Sequence, residues 1–220
     1  MVWWGGRPFT ELSFPELTGP QLAFKRIVDV LGALLGILVL SPILILIAAC
    51  IRCASPGPIL FKQVRIGFGG GLFWMYKFRT MREGADDLKD SLAHLNASGD
   101  RRLFKIPNDP RVTRIGNLLR RWSLDELPQL INVLRGEMSL VGPRPFFESD
   151  LEDYRDEHFS RLAAKPGMTG LWQVKGRSQI LDFEEVIRLD LEYVYRWSVV
   201  LDLLILVQTL PAVVRRAGAL

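Results

Sequence analysis

Apolar positions in this chain fall into one long block, one broken tail and several short periodic runs. From Val30 to Ile51 (VLGALLGILVLSPILILIAACI) there is no charged residue. At about 1.5 Å per residue, such a helix reaches across a hydrocarbon core roughly 30 Å thick. The block starts well inside the chain, and Cys50-Ile51-Arg52-Cys53 offers no small-x-small cleavage site. It therefore reads as a membrane segment and not a cleaved signal, with a buried core helix as the alternative. Ser41-Pro42 interrupts it near the middle. Proline removes one helical hydrogen bond and crowds the preceding turn, so a kink is expected, and the serine hydroxyl can return a bond to the freed carbonyl. Lys25 and Arg26 precede the block, while Arg52, Lys62 and Arg65 follow it. With basic residues on both flanks, charge favours neither orientation. A kinked spanning helix and a helix that bends at Ser41-Pro42 and returns to the side it entered are equally compatible with this pattern.

The other runs predict smaller elements. Residues 1–24 (Gly, Pro and aromatics, with no sustained period) read as an irregular lead-in along the membrane surface, where Trp3 and Trp4 suit an interface. After Ser55-Pro56-Gly57-Pro58, the runs Ile59–Ile66 and Leu72–Arg79 flank Gly67–Gly71 and read as a β-hairpin. These glycines match neither a dinucleotide fingerprint nor a P-loop. Residues 83–103 form a polar, partly helical surface loop, within which Asn96-Ala97-Ser98 matches a glycosylation sequon. From Arg114 the spacing of Ile115, Leu118, Leu119 and Trp122, then Leu127, Leu130, Ile131, Val133 and Leu134, is helical, and Gly136 falls at a C-cap. A further helix spans Phe183 to Trp197. The tail Val199 to Val214 is apolar but Pro-broken and reads as an interfacial helix.

Composition narrows the function classes. The chain has 220 residues, 49% of them hydrophobic and 24% charged, which fits one domain or a compact domain plus a membrane element. Lys and Arg outnumber Asp and Glu by 28 to 24. No clustered basic face or base-stacking module accompanies that surplus, so nucleic acid is excluded as a partner. Anionic phosphate substrates remain, as do anionic lipid headgroups next to Lys25 and Arg26. The two cysteines, Cys50 and Cys53, lack a second ligand pair, and His94 and His158 lie far off without ligand spacing, so the pair reads as filler. With no disulfide framework, the polar part is expected in a reducing cytosol.

Candidate chemistry is densest in Arg120-Arg121-Trp122-Ser123-Leu124-Asp125-Glu126-Leu127-Pro128-Gln129. Proline is tolerated in the first turn of a helix, so a helix should start near Asp125, with two carboxylates at its positive end and N–H groups that attract phosphate. Simple capping explains the same residues, since Ser123-x-x-Glu126 fits a capping box. The surroundings tilt the balance toward chemistry. Val141-Gly142-Pro143-Arg144-Pro145, Lys165-Pro166-Gly167-Met168-Thr169-Gly170 and Gly176-Arg177 put arginines or backbone nests at conformationally fixed positions, as phosphate clamps require.

With these pieces in order, the chain resembles the bacterial sugar transferase family, the monotopic phosphoglycosyl transferases. The matching segments are Lys25-Arg26 with Asp29, Ser41-Pro42, Phe61–Gly67, Tyr76-Lys77-Phe78-Arg79-Thr80-Met81, Asp109–Gly116, Ser123–Leu130, Gly142-Pro143-Arg144-Pro145 and Pro166–Arg177. The resemblance covers roughly residues 24 to 216. It implies an α+β, mainly helical fold with a re-entrant membrane helix, a small β-hairpin and interfacial amphipathic helices. The expected organisation is a lead-in at 1–24, the re-entrant helix at 25–53 broken at Ser41 and Pro42, and a cytosolic, membrane-associated catalytic domain at 54–220. Asp125 would be the nucleophile on the β-phosphate of a UDP-sugar, and Glu126 would bind Mg²⁺. Arg120, Arg144, Arg177 and Arg79 would contact phosphate. Polyprenyl phosphate in the lipid bilayer of the bacterial cell membrane would be the acceptor. A diphosphate substrate needs a divalent cation, and a carboxylate nucleophile divides the transfer into two steps. A Mg²⁺-dependent phosphatase using the same two carboxylates, and a membrane scaffold for glycan assembly, are the rival readings. Larger members of the family carry spanning helices ahead of this core. The chain therefore reads as a minimal member or as the core of a longer one, with sugar and oligomeric state left open.

Overall fold

A computed structural model of the chain describes residues 2–4, 7–9, 19–89, 91–176 and 179–214. Strands β1 (Val2–Trp4) and β2 (Arg7–Phe9) pair antiparallel, so part of the expected lead-in is a short hairpin. Helix α1 (Gly19–Ala54) begins six residues before the expected start at 25 and runs unbroken through Pro42. Gly19 and Pro20 sit in its first turn, where proline costs nothing because its missing N–H would have no partner. Pro42 leaves the Leu38 carbonyl without its usual donor, and Ser41 Oγ donates to that carbonyl at 2.8 Å, as the sequence led us to expect.

Helix α1 is long and apolar enough to cross a membrane. Its burial, however, forms one stripe. Asp29, Ala33, Ile47 and Ile51 are buried, with Ile37 and Leu44 half-buried between them. Leu31, Leu35, Leu38, Val39, Ile45 and Leu46 stand exposed on the other side. Spacings of three and four residues produce such a face.

Strands β3 (Leu60–Ile66) and β4 (Leu72–Phe78) form the expected hairpin, in register from Leu60 opposite Phe78 to Ile66 opposite Leu72. The turn needs Gly69 at φ 63° and Gly70 at φ 84°, where a side chain would be strained. Alternation places Phe73 and Met75 inward with Ala33, Leu130, Val133 and Met138. Phe78 joins Ile47, Ile51 and Leu119 in a second cluster.

Helix α2 (Arg114–Arg121) is capped by Thr113, whose Oγ1 accepts from Gly116 N at 2.9 Å. Helix α3 (Gln129–Arg135) ends on Gly136 at φ 81°, the expected C-cap. The segments Val141–Pro145 and Lys165–Gly170, read as turns or nests, instead contain a parallel pair, β5 (Ser139–Val141) and β6 (Gly167–Thr169). A Cβ on Gly142 would run into the Lys165 carbonyl, and one on Gly167 into the Gly142 nitrogen. The glycines there serve backbone contact. The 3-10 segments Glu148–Asp153 and Asp156–Ala163 had no sequence counterpart. Helices α4 (Leu171–Lys175), α5 (Phe183–Tyr195) and α6 (Val199–Val214) complete the chain. The largest core cluster gathers Phe146, Tyr154, Trp172, Phe183, Val186, Leu189, Tyr193 and Ile205 from these segments.

Polar contacts stitch α1 to this body. Lys25 Nζ bonds Asp202 Oδ2 at 2.6 Å, Val141 O at 3.0 Å and Tyr193 Oη at 3.2 Å. Arg26 donates to the carbonyls of Val133 and Leu134 at 2.6 and 2.7 Å, where the C-terminal end of α3 needs donors. Asp29 accepts from Ser139 Oγ and Leu140 N, both at 2.9 Å. Lys25 and Arg26, expected near lipid headgroups, are thus engaged inside the fold.

Candidate active site

The chain reaches its carboxylates through a sharp change of direction. Helix α2 closes at Trp122, and Ser123 takes the left-handed conformation at φ 55° with no side-chain capping bond. The expected capping box at Ser123 and Glu126 therefore does not form. A 3-10 turn over Leu124–Glu126 leads into α3, which begins at Gln129 and not near Asp125. The turn is pinned by Leu124, which packs against the Ile47, Ile51, Phe78 and Leu119 cluster. Asp125 is turned into the protein and is 9% exposed, while Glu126 faces a groove.

Lys77, on the last turn of the β4 ladder, places Nζ 2.9 Å from Glu126 Oε1. Burial pushes the Asp125 carboxyl above its ordinary range, the Lys77 ammonium and Arg120 pull it back, and Glu126 adds to the rise. A helix N-terminus alone was expected to keep Asp125 ionised. Here the ammonium and guanidinium lower the carboxyl, but desolvation outweighs them. Arg120 donates through Nε to Thr80 Oγ1 at 3.0 Å, and burial lowers its guanidinium while Asp125 opposes the shift.

The groove is lined by Arg65, Lys77, Glu126 and Gln129 together with Arg144, Pro145, Met168, Trp172 and Gln173. Arg65 donates to Pro145 O at 3.2 Å and to Gln63 Oε1 at 2.6 Å, with its guanidinium 3.4 Å from the Phe147 ring centre. Burial and neighbouring Arg144 lower it to about 9, so it remains a cation at neutral pH. The Arg144 guanidinium lies 4.9 Å from the Trp172 ring centre. The result is a passage with three cations, an aromatic wall and one carboxylate, Glu126, with Asp125 buried next to it in the chain.

Of the arginines expected at phosphate, Arg144 lines this groove and Arg120 stands by Asp125. Arg79 does not join them. Its Nη1 donates to Pro56 O at 2.7 Å, and its Nη2 to Ser55 O and Oγ at 2.8 and 2.9 Å, so it ties the exit of α1 to β4. Arg177 lies outside the described residues. Lys77 and Arg65 were missed, since strand residues alternating with aromatics carry no mark of a site. Their signal was present in the paired register Arg65–Phe73 and Lys77–Phe61, which fixes the face each strand presents.

A hard divalent cation takes oxygen ligands, commonly one or two carboxylates plus substrate phosphates. Glu126, which lines the groove, and Asp125, buried next to it in sequence, supply carboxylate oxygens of that kind. The Lys77 ammonium on Glu126 marks a carboxylate already balanced by a positive charge. A second His/carboxylate group, Glu157, His158 and Glu184, lies elsewhere, and Arg155 bonds Glu184 there.

This arrangement sits within a match to the bacterial sugar transferase family over residues 20–216, and the chain belongs to that family. It is similar to the galactosyl transferase CpsE of Streptococcus agalactiae, 44% identical over 200 residues, covering 90% of this chain and 44% of that protein. It is also similar to the exopolysaccharide production protein ExoY of Rhizobium meliloti, 42% identical over 212 residues, covering 93% of each. The undecaprenyl-phosphate galactose phosphotransferase of Salmonella typhimurium is 42% identical over 198 residues, which cover 89% of this chain and 41% of that protein. The chain therefore spans less than half of some relatives and nearly all of another.

Proposed function

We propose that this chain transfers a sugar 1-phosphate from a UDP-sugar to undecaprenyl or a similar polyprenyl phosphate, through a phosphorylated Asp125. The observation that carries the reading is Asp125 itself, a buried carboxylate held beside Arg120 and beside Lys77 and Glu126, the last two of which line a cationic groove. The name of CpsE supports sugar transfer, and that of the Salmonella enzyme supports undecaprenyl phosphate as a partner in it.

In the first step an Asp125 carboxylate oxygen bonds to the β-phosphorus, and the bond from that phosphorus to the oxygen bridging to the α-phosphate breaks. UMP leaves with the bridging oxygen. In the second step an oxygen of the polyprenyl phosphate attacks the same phosphorus, and the bond to Asp125 breaks, which restores the carboxylate. Mg²⁺ bound at Glu126 would supply neutralisation of the diphosphate charge. Lys77 opposes the rise that burial imposes on the Asp125 carboxyl and, bonded to Glu126, can exchange it for a phosphate oxygen. Arg65 and Arg144 line the path of the remaining anionic oxygens.

Membrane attachment through a re-entrant α1 is part of the same reading. The first and second halves of the helix both pack on one body, Ala33 with Leu130 and Val133, Ile47 with Phe78 and Leu119. A helix crossing a bilayer would carry one of those halves to the far side, about 39 Å from residue 25 to residue 51 if straight. The outward apolar faces of α1 and α6, the latter bearing Val200, Leu203, Leu204, Val207 and Leu210, suit lipid. Nucleotide sugars and the reduced Cys50 and Cys53 suit a catalytic domain on the cytoplasmic face. Pro42→Leu should shift residues near 20 and near 60 toward opposite sides in cysteine labelling, whereas the parent chain should show both on one side.

The test of the chemistry is trapping. Incubation with a UDP-sugar and Mg²⁺ but no lipid acceptor should add the mass of one sugar phosphate to the peptide holding Asp125, and Asp125→Asn should abolish it. An adduct mapping elsewhere would overturn the assignment. Steady release of free sugar phosphate without an acceptor would point to water as the second nucleophile.

A further inference from the structure

Behind the groove lies a pair of charges that the reaction above does not use. Arg161 and Asp190 are 2% and 1% exposed and bond directly, Arg161 Nη2 to Asp190 Oδ2. Arg161 Nη1 also donates to Tyr154 Oη at 2.9 Å, and the guanidinium lies 4.2 Å from the Phe146 ring centre. A buried ion pair is a poor way to gain stability, because desolvating both charges costs about as much as their attraction returns. Such a pair calls for another account.

Its remaining contacts supply one. Arg161 Nη2 donates to the backbone carbonyl of Arg144, and Asp190 Oδ2 accepts from the backbone N–H of Arg144 at 3.3 Å. The pair thus grips both backbone polar groups of one residue. On either side, Gly167 N donates to Pro143 O at 2.8 Å and Arg65 to Pro145 O at 3.2 Å. Prolines at 143 and 145 restrict the flanking dihedrals. With the backbone of Arg144 fixed from behind, its side chain is left to run forward onto Trp172 and into the groove.

We propose that the buried Arg161–Asp190 pair is a positioning device for Arg144, setting where that guanidinium meets the phosphates of the nucleotide sugar. The two residues never touch substrate. They act through the backbone of residue 144, with Arg161 packed against Phe146 and bonded to Tyr154. Asp190 Oδ1 and Arg161 Nε have no hydrogen-bond partner among the described residues. Apart from the bond to Tyr154, the pair's hydrogen bonds beyond its own go to the backbone of Arg144. This inference rests on the proposed sugar-phosphate transfer, because it is that substrate Arg144 would meet.

The test is a double-mutant cycle on the full chain in lipid nanodiscs. Asp190→Asn keeps size and an acceptor for Arg144 N but removes the charge that orients Arg161. It should lower kcat/KM for UMP release on the order of 10²-fold, the scale of an ångström of misplacement. In an Arg144→Ala background the same change should cost little further activity, although it lowers the melting temperature equally in both backgrounds. Equal activity losses in both backgrounds would overturn the proposal, since a structural role alone predicts that. Should Asp190→Asn fail to fold, Tyr154→Phe removes one bond to Arg161 and should show the same dependence on Arg144 with a smaller loss. The wild-type chain separates the two claims: no UMP from any UDP-sugar would sink the transfer reading. The cycle repeated with UDP binding as its readout would still test the positioning of Arg144.

Discussion

Two ion pairs lie on either side of the groove wall and behave as opposites. Lys77 and Glu126 are about a quarter exposed and meet at 2.9 Å in the open passage. Arg161 and Asp190 are sealed in the core and hold a backbone in place. A partly hydrated pair exchanges partners at little cost, whereas a sealed pair does not. The site combines charges that can change partner with charges that cannot move. Pairing therefore says less about an ion pair's role than exposure does.

The largest effect should come from the carboxylate beside the open pair. Asp125→Asn should abolish turnover, and it should also stabilise the fold at neutral pH. The folded Asp125 carboxyl titrates above its unfolded value of 3.8, so the fold binds that proton more tightly than the unfolded chain does. Stability should fall as pH rises from near 3.8 through the folded value and then level off. Unfolding curves across this window should lose the fall in the variant. A parent chain that gains stability through the same window would contradict the buried position of Asp125.

Next comes the sealed pair. Arg161→Ala leaves Asp190 as an uncompensated buried charge and should cost about 3–5 kcal/mol in unfolding free energy. A loss below about 1 kcal/mol would mean the two pairs are alike after all. Glu126→Gln should slow adduct formation on Asp125 and weaken the dependence on Mg²⁺ in a single-turnover assay, without moving the adduct. The smallest effect belongs to Lys77→Met, which should change stability by about 0.2–1 kcal/mol. Its turnover should fall much further, and its activity should shift to higher pH as Asp125 loses the ammonium that lowers its carboxyl.

The same distinction governs what could be read from sequence. The β3–β4 hairpin was legible almost to the residue, because alternating apolar positions and a glycine turn depend on local rules. The end of α3 at Gly136, the α5 helix and the bond from Ser41 to Leu38 were legible for the same reason. Asp125 and Glu126 stood out as a carboxylate pair among arginines and prolines. The position of each charge was not legible. Arg79 and Lys77 are two residues apart, yet Arg79, just past the end of β4, binds Ser55 and Pro56 while Lys77 enters the groove. Ser123 looked like a cap, but its left-handed backbone turns it out of that role. Asp190 fell on the expected α5 helix as one charge among others, and Arg161 lay in a stretch with no expected element. Only the packing of α5 against the 3-10 segment 156–163 buries them. Pairing across long sequence separation decides all of these.

Helix α1 has a consequence for how this polypeptide could be taken apart. Residues 19–54 are less an anchor line than one wall of the building. Cutting them away would lay bare Leu130, Val133, Phe78 and Leu119, and would strip Asp202 and Tyr193 of Lys25 and the end of α3 of Arg26. A water-soluble fragment obtained by trimming the apolar leader should therefore aggregate, however polar its remaining surface. The catalytic body is designed to exist only with its oily side attached.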